Sequence, residues 1–263
     1  MIYFFEKQGW LSSVTTQEQS RLIYGDGFFE SMVFRDGRIL FLELHLNRIG
    51  NALNALQLQA ELDIKSYLLN AFQLLPFRDA RIRVVFERKT GGYYLPYNNF
   101  IKISLTAVQS QPLVYSINNK KLFVGDYIEN YKAVGKISNY KTCSSLIYVM
   151  AAKFAHKNNY DDCYVSNGNY RIESSNANLF IISNGTLKTP ELTQGCVDGI
   201  MRNVLIRFAK LSNIDLSISK LTDEDFINAD DIILTNVTSV RSVKLSGLPF
   251  IEKFISFLNE TKS

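Results

Sequence analysis

The sequence predicts an α+β protein of two subdomains, and three observations lead to that class. Helical and strand-like patterns alternate irregularly, hairpin turn signals recur in both halves, and a polar, turn-rich stretch over 108–120 separates the halves. We therefore expect an N-terminal domain over 1–112 and a C-terminal domain over 113–263. With 46% hydrophobic and 21% charged residues, the 263-residue chain can bury a sizeable core.

In the N-terminal half, alternating apolar residues and an Asp36-Gly37 hairpin turn indicate an antiparallel sheet. Apolar residues recur at helical spacing across 44–58, and Asp63 can cap a second helix that ends before Pro76. The predicted strands lie near 2–5 and at 28–34, 38–42, 81–87 and 101–107, and a Gly91-Gly92 loop joins the last two.

The C-terminal half has the same mixture, with turn signals at 167–169 and at Asn184-Gly185. Helices are predicted over 141–157 and 200–211, and a short one begins at Thr222 with Asp225 in a capping box. The predicted strands are 162–165, 170–172, 179–182, 186–188, 231–235 and 239–245.

Bulk properties exclude several classes of function. A net charge of +4 with no basic run gives no footprint for nucleic acid. No apolar run approaches the roughly 18–20 residues that span a bilayer, and the N-terminus is unlike a signal peptide. Three scattered cysteines and two histidines argue against a metal centre. We expect a cytoplasmic protein without nucleic-acid, membrane or metal partners.

Three features together point to pyridoxal phosphate (PLP). Lys136 begins a Lys-x-x-Asn pattern ahead of a helix, Glu173 follows a strand, and the segment 199–202, Gly-Ile-Met-Arg, begins a helix. A lysine amine can bind the cofactor covalently, and partial burial would favour its neutral form. A carboxylate can hold the pyridine nitrogen protonated, and a helix start can bind phosphate.

These motifs resemble the class IV PLP-dependent aminotransferase family, which has fold type IV. The resemblance includes residues 24–30 (Tyr-Gly-Asp-Gly-Phe-Phe-Glu) and 43–48 (Glu-Leu-His-Leu-Asn-Arg), and it runs past Val243. It implies a smaller N-terminal domain, a larger C-terminal pseudo-barrel domain, a cofactor site between them, and a homodimer.

The resemblance also implies roles for individual residues. Lys136 would bind the cofactor and move protons, Glu173 would face the pyridine nitrogen, and Arg48 would bind the phosphate. His45, on the same helix face as Arg48, is equally consistent with packing. Tyr140, Ile200, Met201, Asn236 and Val237 are the other expected cofactor contacts, and Phe29, Arg88 and Thr238 are expected at the substrate.

The activity within the family stays open at this point. Residues 88–92 (Arg-Lys-Thr-Gly-Gly) and 197–202 (Val-Asp-Gly-Ile-Met-Arg) resemble 4-amino-4-deoxychorismate lyases, as does the short chain. Asn139-Tyr140 resembles branched-chain aminotransferases instead, and Phe29-Glu30-Ser31 is unlike a lyase. No histidine follows the third strand as in D-amino-acid aminotransferases. We expect the lyase, with an amino-acid aminotransferase as the alternative and a non-catalytic PLP-binding protein as a third hypothesis.

Overall fold

The computed structural model describes residues 2–6, 9–11, 24–89 and 94–261 of the chain, and these form two compact units. Residues up to Leu113 form the N-terminal unit together with Tyr140–Ser145. Val114–Asn139 and Leu146–Thr261 form the C-terminal unit. The N-terminal unit therefore recruits a short segment from the middle of the sequence, which the linear pattern did not indicate. The predicted α+β class is confirmed.

The N-terminal unit is built on a six-stranded antiparallel sheet whose strand order is β2-β1-β6-β5-β3-β4. Two helices accompany it, α1 (Leu42–Ala55) and α2 (Ile64–Gln73). Asp63 caps α2 as predicted, because its carboxylate accepts a 2.9 Å hydrogen bond from the Ser66 amide. The strands are β1 (Ile2–Glu6), β2 (Gly9–Leu11), β3 (Gly27–Arg35), β4 (Arg38–Ile39), β5 (Ala80–Arg88) and β6 (Ile101–Gln109).

Side-chain alternation along β3 divides the sheet into two faces. Phe28 and Met32 are buried in the core, where the Phe28 ring stacks on Phe86 with centroids 4.7 Å apart. The intervening residues Phe29 and Ser31 are only half-buried, on the opposite face. The recruited segment 140–145 lies beside this strand, since the Phe29 amide donates to the Lys141 carbonyl at 2.9 Å.

The C-terminal unit contains an eight-stranded sheet in which the fully buried strand β10 pairs with β9, β11 and β13. Its helices are α3 (Leu146–Lys157), α4 (Ile200–Leu211), α5 (Asp223–Ile227) and α6 (Pro249–Glu260). Its strands are β7 (Val124–Asp126), β8 (Asp162–Ser166), β9 (Arg171–Ser174), β10 (Asn178–Ser183), β11 (Thr186–Pro190), β12 (Leu216–Ser219), β13 (Asp231–Asn236) and β14 (Ser239–Ser242).

Two features of this unit differ from the sequence prediction. The helix predicted over 141–157 begins only at Leu146, because residues 141–143 pair with β3 instead. Lys141 is therefore outside the helix. The final helix α6 was not predicted, although Pro249 at its start and the spacing of Ile251, Phe254 and Leu258 are helix signals. The predicted Gly91-Gly92 loop lies outside the described residues.

Candidate active site

Glu173 lies in a row of side chains that crosses the C-terminal sheet. In the strand register, Glu173 of β9 is opposite Asn178 of β10, and Asn178 is opposite Thr235 of β13. Directly opposed residues of antiparallel strands have side chains on the same face of a sheet. The register therefore brings a carboxylate, an amide and a hydroxyl to one surface of the C-terminal unit.

The Glu173 carboxylate is 3% exposed and accepts three hydrogen bonds. Lys132 Nζ and the Tyr148 hydroxyl donate to Oε1 at 2.6 and 2.7 Å, and the Val197 amide donates to Oε2 at 2.9 Å. Burial, then the negative charge of Glu173 and the bond to it, raise the pKa of the Tyr148 phenol, which therefore stays a donor. A carboxylate with this many donors has a fixed orientation.

Lys136 lies in an exposed turn before α3. The Ser138 hydroxyl donates to the Gly135 carbonyl at 2.6 Å and closes the turn. Asn139 holds it in place, because its amide group donates to the Leu192 and Cys196 carbonyls at 2.8 and 2.7 Å. The asparagine of the Lys-x-x-Asn pattern is thus a structural anchor. The Lys136 side chain itself is exposed in the structure.

The turn that carries Lys136 is linked to Glu173 through the loop before α4. The Asp198 amide donates to the Asn139 carbonyl at 2.9 Å, and the neighbouring Val197 amide binds Glu173. One short loop therefore contacts both the lysine turn and the carboxylate. Two other lysines are near Lys136 in sequence: Lys132 is buried against Glu173, and Lys141 lies in the N-terminal unit.

The start of α4 has the features of an anion site. Gly199 is its N-cap, and a Cβ there would lie 1.8 Å from Asn178 Oδ1, so any larger residue would displace the Asn178 side chain. Asn178 in turn donates to the Val197 carbonyl at 2.7 Å. The amides of Ile200 and Met201 are in the first helical turn, where no intrahelical acceptor exists. Such amides favour phosphate.

Thr235, at the end of the same row, has an unsatisfied hydroxyl. Its Oγ1 is buried and has no hydrogen-bond partner among the residues that the structure describes. In the adjacent turn, the Asn236 carboxamide oxygen accepts bonds from the Thr238 amide and hydroxyl at 2.9 and 2.8 Å, so it shapes the turn. The Val237 carbonyl accepts from the Tyr115 hydroxyl at 2.8 Å. The predicted contacts of Asn236, Val237 and Thr238 with cofactor or substrate stay predictions.

Arg48 lies in the N-terminal unit and forms a buried cluster with Glu30 and His45. Its Nε and Nη2 donate to the two Glu30 oxygens, each at 2.7 Å, while His45 Nδ1 donates to Oε2 at 2.7 Å. Sequence reasoning missed this partner, because Glu30 was interpreted only as a subfamily marker. The predicted phosphate contact of Arg48 stays a prediction, and it would have to be made by a guanidinium already bound to Glu30.

The ionisation of this cluster follows from burial and charge. Burial would raise the pKa of Glu30, but the charge of Arg48 and the bonds to His45 and Arg48 lower it to about 2. Burial lowers the pKa of His45 below its usual value, against the opposing effect of Glu30. His45 is then neutral, with Nε2 buried and without a partner among the described residues.

Two of the predicted substrate residues have different surroundings. Phe29 is flanked by two cations, Lys141 Nζ at 4.7 Å and Arg83 Cζ at 5.4 Å from its ring centroid. Arg88 is buried, and its three nitrogens donate to Asp26, Asn99 and the Gln57 and Leu56 carbonyls. Most of the Arg88 donors are therefore engaged within the N-terminal unit.

Tyr140, predicted to approach the cofactor ring, is half-buried against the core of the N-terminal unit. Its predicted role stays a prediction.

The C-terminal residues fit a PLP cofactor. Glu173 supplies an oriented carboxylate, and the glycine-capped start of α4 supplies amides for a phosphate. Thr235 supplies a buried hydroxyl that has no partner in the described part of the chain. Within the described ranges, no group of three or more His, Cys, Asp or Glu residues could hold a metal ion. None of the described helices is long and apolar enough to cross a membrane.

Comparisons with known proteins show the family to which the chain belongs. Residues 27–245 match the family model for amino-transferase class IV. A putative branched-chain-amino-acid aminotransferase of Methanocaldococcus jannaschii is 27% identical, over 83% of this chain and 77% of the relative. A D-alanine aminotransferase of Staphylococcus aureus is 21% identical, over 86% of this chain and 82% of the relative.

The fold is also that of a solved structure. The crystal structure of a putative 4-amino-4-deoxychorismate lyase from Legionella pneumophila superposes with a TM-score of 0.81 at 22% identity. The match covers 95% of this chain and 96% of that chain. At this identity the likeness establishes fold type IV, and it leaves the substrate open.

The Glu30 cluster predicts an acid-dependent stability. A carboxyl with a pKa of about 2 in the folded chain and 4.5 ordinarily stabilises the fold above pH 4.5, and that contribution is lost as pH falls towards 2. Between pH 6 and pH 3 the wild-type free energy of unfolding should lose roughly 2 kcal/mol through this group. Urea unfolding of Glu30→Gln should lack that component of the pH dependence.

A matched control is Glu43→Gln, which changes an exposed glutamate on α1 that pairs with the exposed Lys65. It should keep the wild-type pH dependence. If the free energy of unfolding changed equally with pH in Glu30→Gln and in wild type, the cluster would not be holding Glu30 ionised.

Gly199→Ala should weaken PLP binding by about tenfold or more, because the new methyl group displaces Asn178 and with it the Val197 loop. Fluorescence titration of the apoprotein with PLP measures this. Gly50→Ala, on α1 with no heavy atom within 4 Å of the added Cβ, is the control and should leave affinity unchanged. Unchanged affinity in Gly199→Ala would rule out the start of α4 as the phosphate site.

Proposed function

The chain belongs to the class IV aminotransferases, enzymes whose cofactor is pyridoxal phosphate, and within that family we propose that it is a 4-amino-4-deoxychorismate lyase. One observation carries the proposal. The lyase-like segment 197–202 contacts Glu173 through the Val197 amide and also begins α4. The motif that resembles lyases is thus part of the site itself.

The proposed reaction splits one substrate into two products. The ring C–H bond at the amine-bearing carbon and the C–O bond to the enolpyruvyl group both break, which yields 4-aminobenzoate and, after protonation of the enol, pyruvate. No oxidant, water or amino acceptor is consumed, and aromatisation of the ring provides the driving force. The bound cofactor supplies an electron sink for the charge that develops when the proton leaves.

Different residues of the chain would bind the cofactor, transfer the proton and bind the phosphate. Lys136 Nζ carries the cofactor and takes the proton from the substrate ring, a role for which its exposed position leaves the amine accessible. Glu173 Oε2 faces the pyridine nitrogen. The first-turn amides of Ile200 and Met201 bind the phosphate, joined by Arg48.

The substrate itself carries two carboxylates, and the cations around Phe29 suit it. Lys141 and Arg83 flank that ring on a half-buried face of the N-terminal sheet. Two cations on one face attract a dianion more strongly than a monocarboxylate amino acid. Phe29 is therefore the predicted substrate residue with the best support, whereas Arg88 is already bound within its own unit.

An amino-acid aminotransferase is the second candidate. Asn139-Tyr140 favours it, as does the branched-chain aminotransferase name of the Methanocaldococcus jannaschii relative. A non-catalytic PLP-binding protein is the least favoured, because it would have no need for Lys136 and an oriented Glu173 together. The proposal includes a homodimer and a cytoplasmic setting in folate biosynthesis.

Lys136→Ala should bind PLP only noncovalently and lose nearly all turnover. Borohydride reduction of the wild-type holoenzyme, followed by peptide mapping, should find the adduct on Lys136. Lys153→Ala, an exposed lysine on α3, is the control and should keep the adduct and the activity. An adduct on Lys132 or Lys141 would overturn the assignment.

The reaction is tested by a coupled assay for pyruvate. Aminodeoxychorismate alone should yield pyruvate and 4-aminobenzoate, with no 2-oxo acid added. The same preparation is then given leucine, valine or D-alanine with 2-oxoglutarate. Amino transfer from any of these, together with no pyruvate from aminodeoxychorismate, would decide for the aminotransferase.

A further inference from the structure

Lys132 is an unusual lysine, because it is buried at a position that the predicted roles do not use. Its side chain is 9% exposed, and its amide donates to the Ser166 carbonyl at 2.9 Å. Its Nζ lies 2.6 Å from Glu173 Oε1 and 5.3 Å from the centroid of the Tyr148 ring. Lysines are almost never buried without a charged partner, and Glu173 is that partner.

Tyr148 reaches the same oxygen from α3. Its hydroxyl donates to Glu173 Oε1 at 2.7 Å, and the pKa of the phenol is raised by burial and by the charge of Glu173. Two donors from separate segments of the chain therefore converge on one oxygen. Each carboxylate oxygen accepts about two hydrogen bonds, so Oε1 is saturated.

The second oxygen has capacity left. Oε2 accepts the Val197 amide at 2.9 Å, which leaves one acceptor site of the usual two. We propose that Lys132 and Tyr148 are positioning residues: by filling Oε1 they leave Oε2 as the oxygen that faces the pyridine nitrogen. This rests on the proposed role of Glu173 and assigns the two side chains that set its orientation and compensate its charge.

The proposal has an electrostatic consequence. Lys132 opposes the field that Glu173 exerts on the cofactor. Removal of a positive charge there should favour the protonated form of the bound chromophore, so the pH midpoint of its visible band should rise in Lys132→Met. By the same argument, loss of the negative charge in Glu173→Gln should lower the midpoint. A shift of one pH unit in this midpoint corresponds to a change of roughly 1.4 kcal/mol in the free energy of protonation.

The experiment measures two quantities, the PLP affinity of each apoprotein by fluorescence titration and the pH midpoint of the visible band of each holoprotein. Lys132→Met should bind PLP about tenfold more weakly and raise the midpoint, and Tyr148→Phe should do the same to a smaller extent. Lys132→Arg keeps a cationic donor and should recover both values. Lys153→Met, an exposed lysine on α3, is the control.

A double-mutant cycle separates positioning from structural support. In a Glu173→Gln background, Lys132→Met should cause little further loss of PLP affinity, since its effect acts through the carboxylate. An equal loss in both backgrounds, or an unshifted midpoint in Lys132→Met, would overturn the proposal. If Glu173→Gln itself leaves the midpoint and the affinity unchanged, the proposed role of Glu173 fails instead. If Lys132→Met does not fold, the PLP affinities and pH midpoints of Tyr148→Phe and Lys132→Arg still test the proposal.

Discussion

The candidate site depends on the hydrogen bonds that the Glu173 carboxylate accepts. A buried carboxylate is stable only when donors replace its hydration, and here three donors from three separate segments do so. The Val197 amide belongs to the loop before α4, the Tyr148 hydroxyl belongs to α3, and Lys132 Nζ belongs to the segment that leads to the turn with Lys136. The single charge therefore fixes three pieces of chain that the sheet alone would not hold together.

The strand register extends this arrangement across the C-terminal unit. Asn178, the next residue in the row, bonds to the Val197 carbonyl and occupies the space that a side chain at Gly199 would need. Thr235 ends the row with a buried hydroxyl. The carboxylate and the helix start are thereby held on one rigid scaffold. A cofactor with a ring nitrogen and a phosphate requires both groups at a fixed separation.

Local patterns were enough to predict most strands and helices, the Asp63 cap and the α+β class, because each depends on residues close in sequence. Lys136, Glu173 and 199–202 are candidate site residues for the same reason, and their roles stay predictions. The pairing of Lys132 with Glu173 spans 41 residues, and that of Glu30 with Arg48 spans 18, so no local spacing indicates either. Arg88 is a further case, since its bonds to Asp26 and to the Leu56 carbonyl span 62 and 32 residues.

The central claim is that Lys136 and Glu173 Oε2 hold the two ends of one cofactor ring. A crystal structure of the PLP-loaded protein tests it most directly. We expect electron density continuous between Lys136 Nζ and the cofactor, with the pyridine nitrogen within hydrogen-bond distance of Oε2 and Lys132 still on Oε1. Density continuous with Lys132, or a pyridine nitrogen that faces a group other than Glu173, would contradict it.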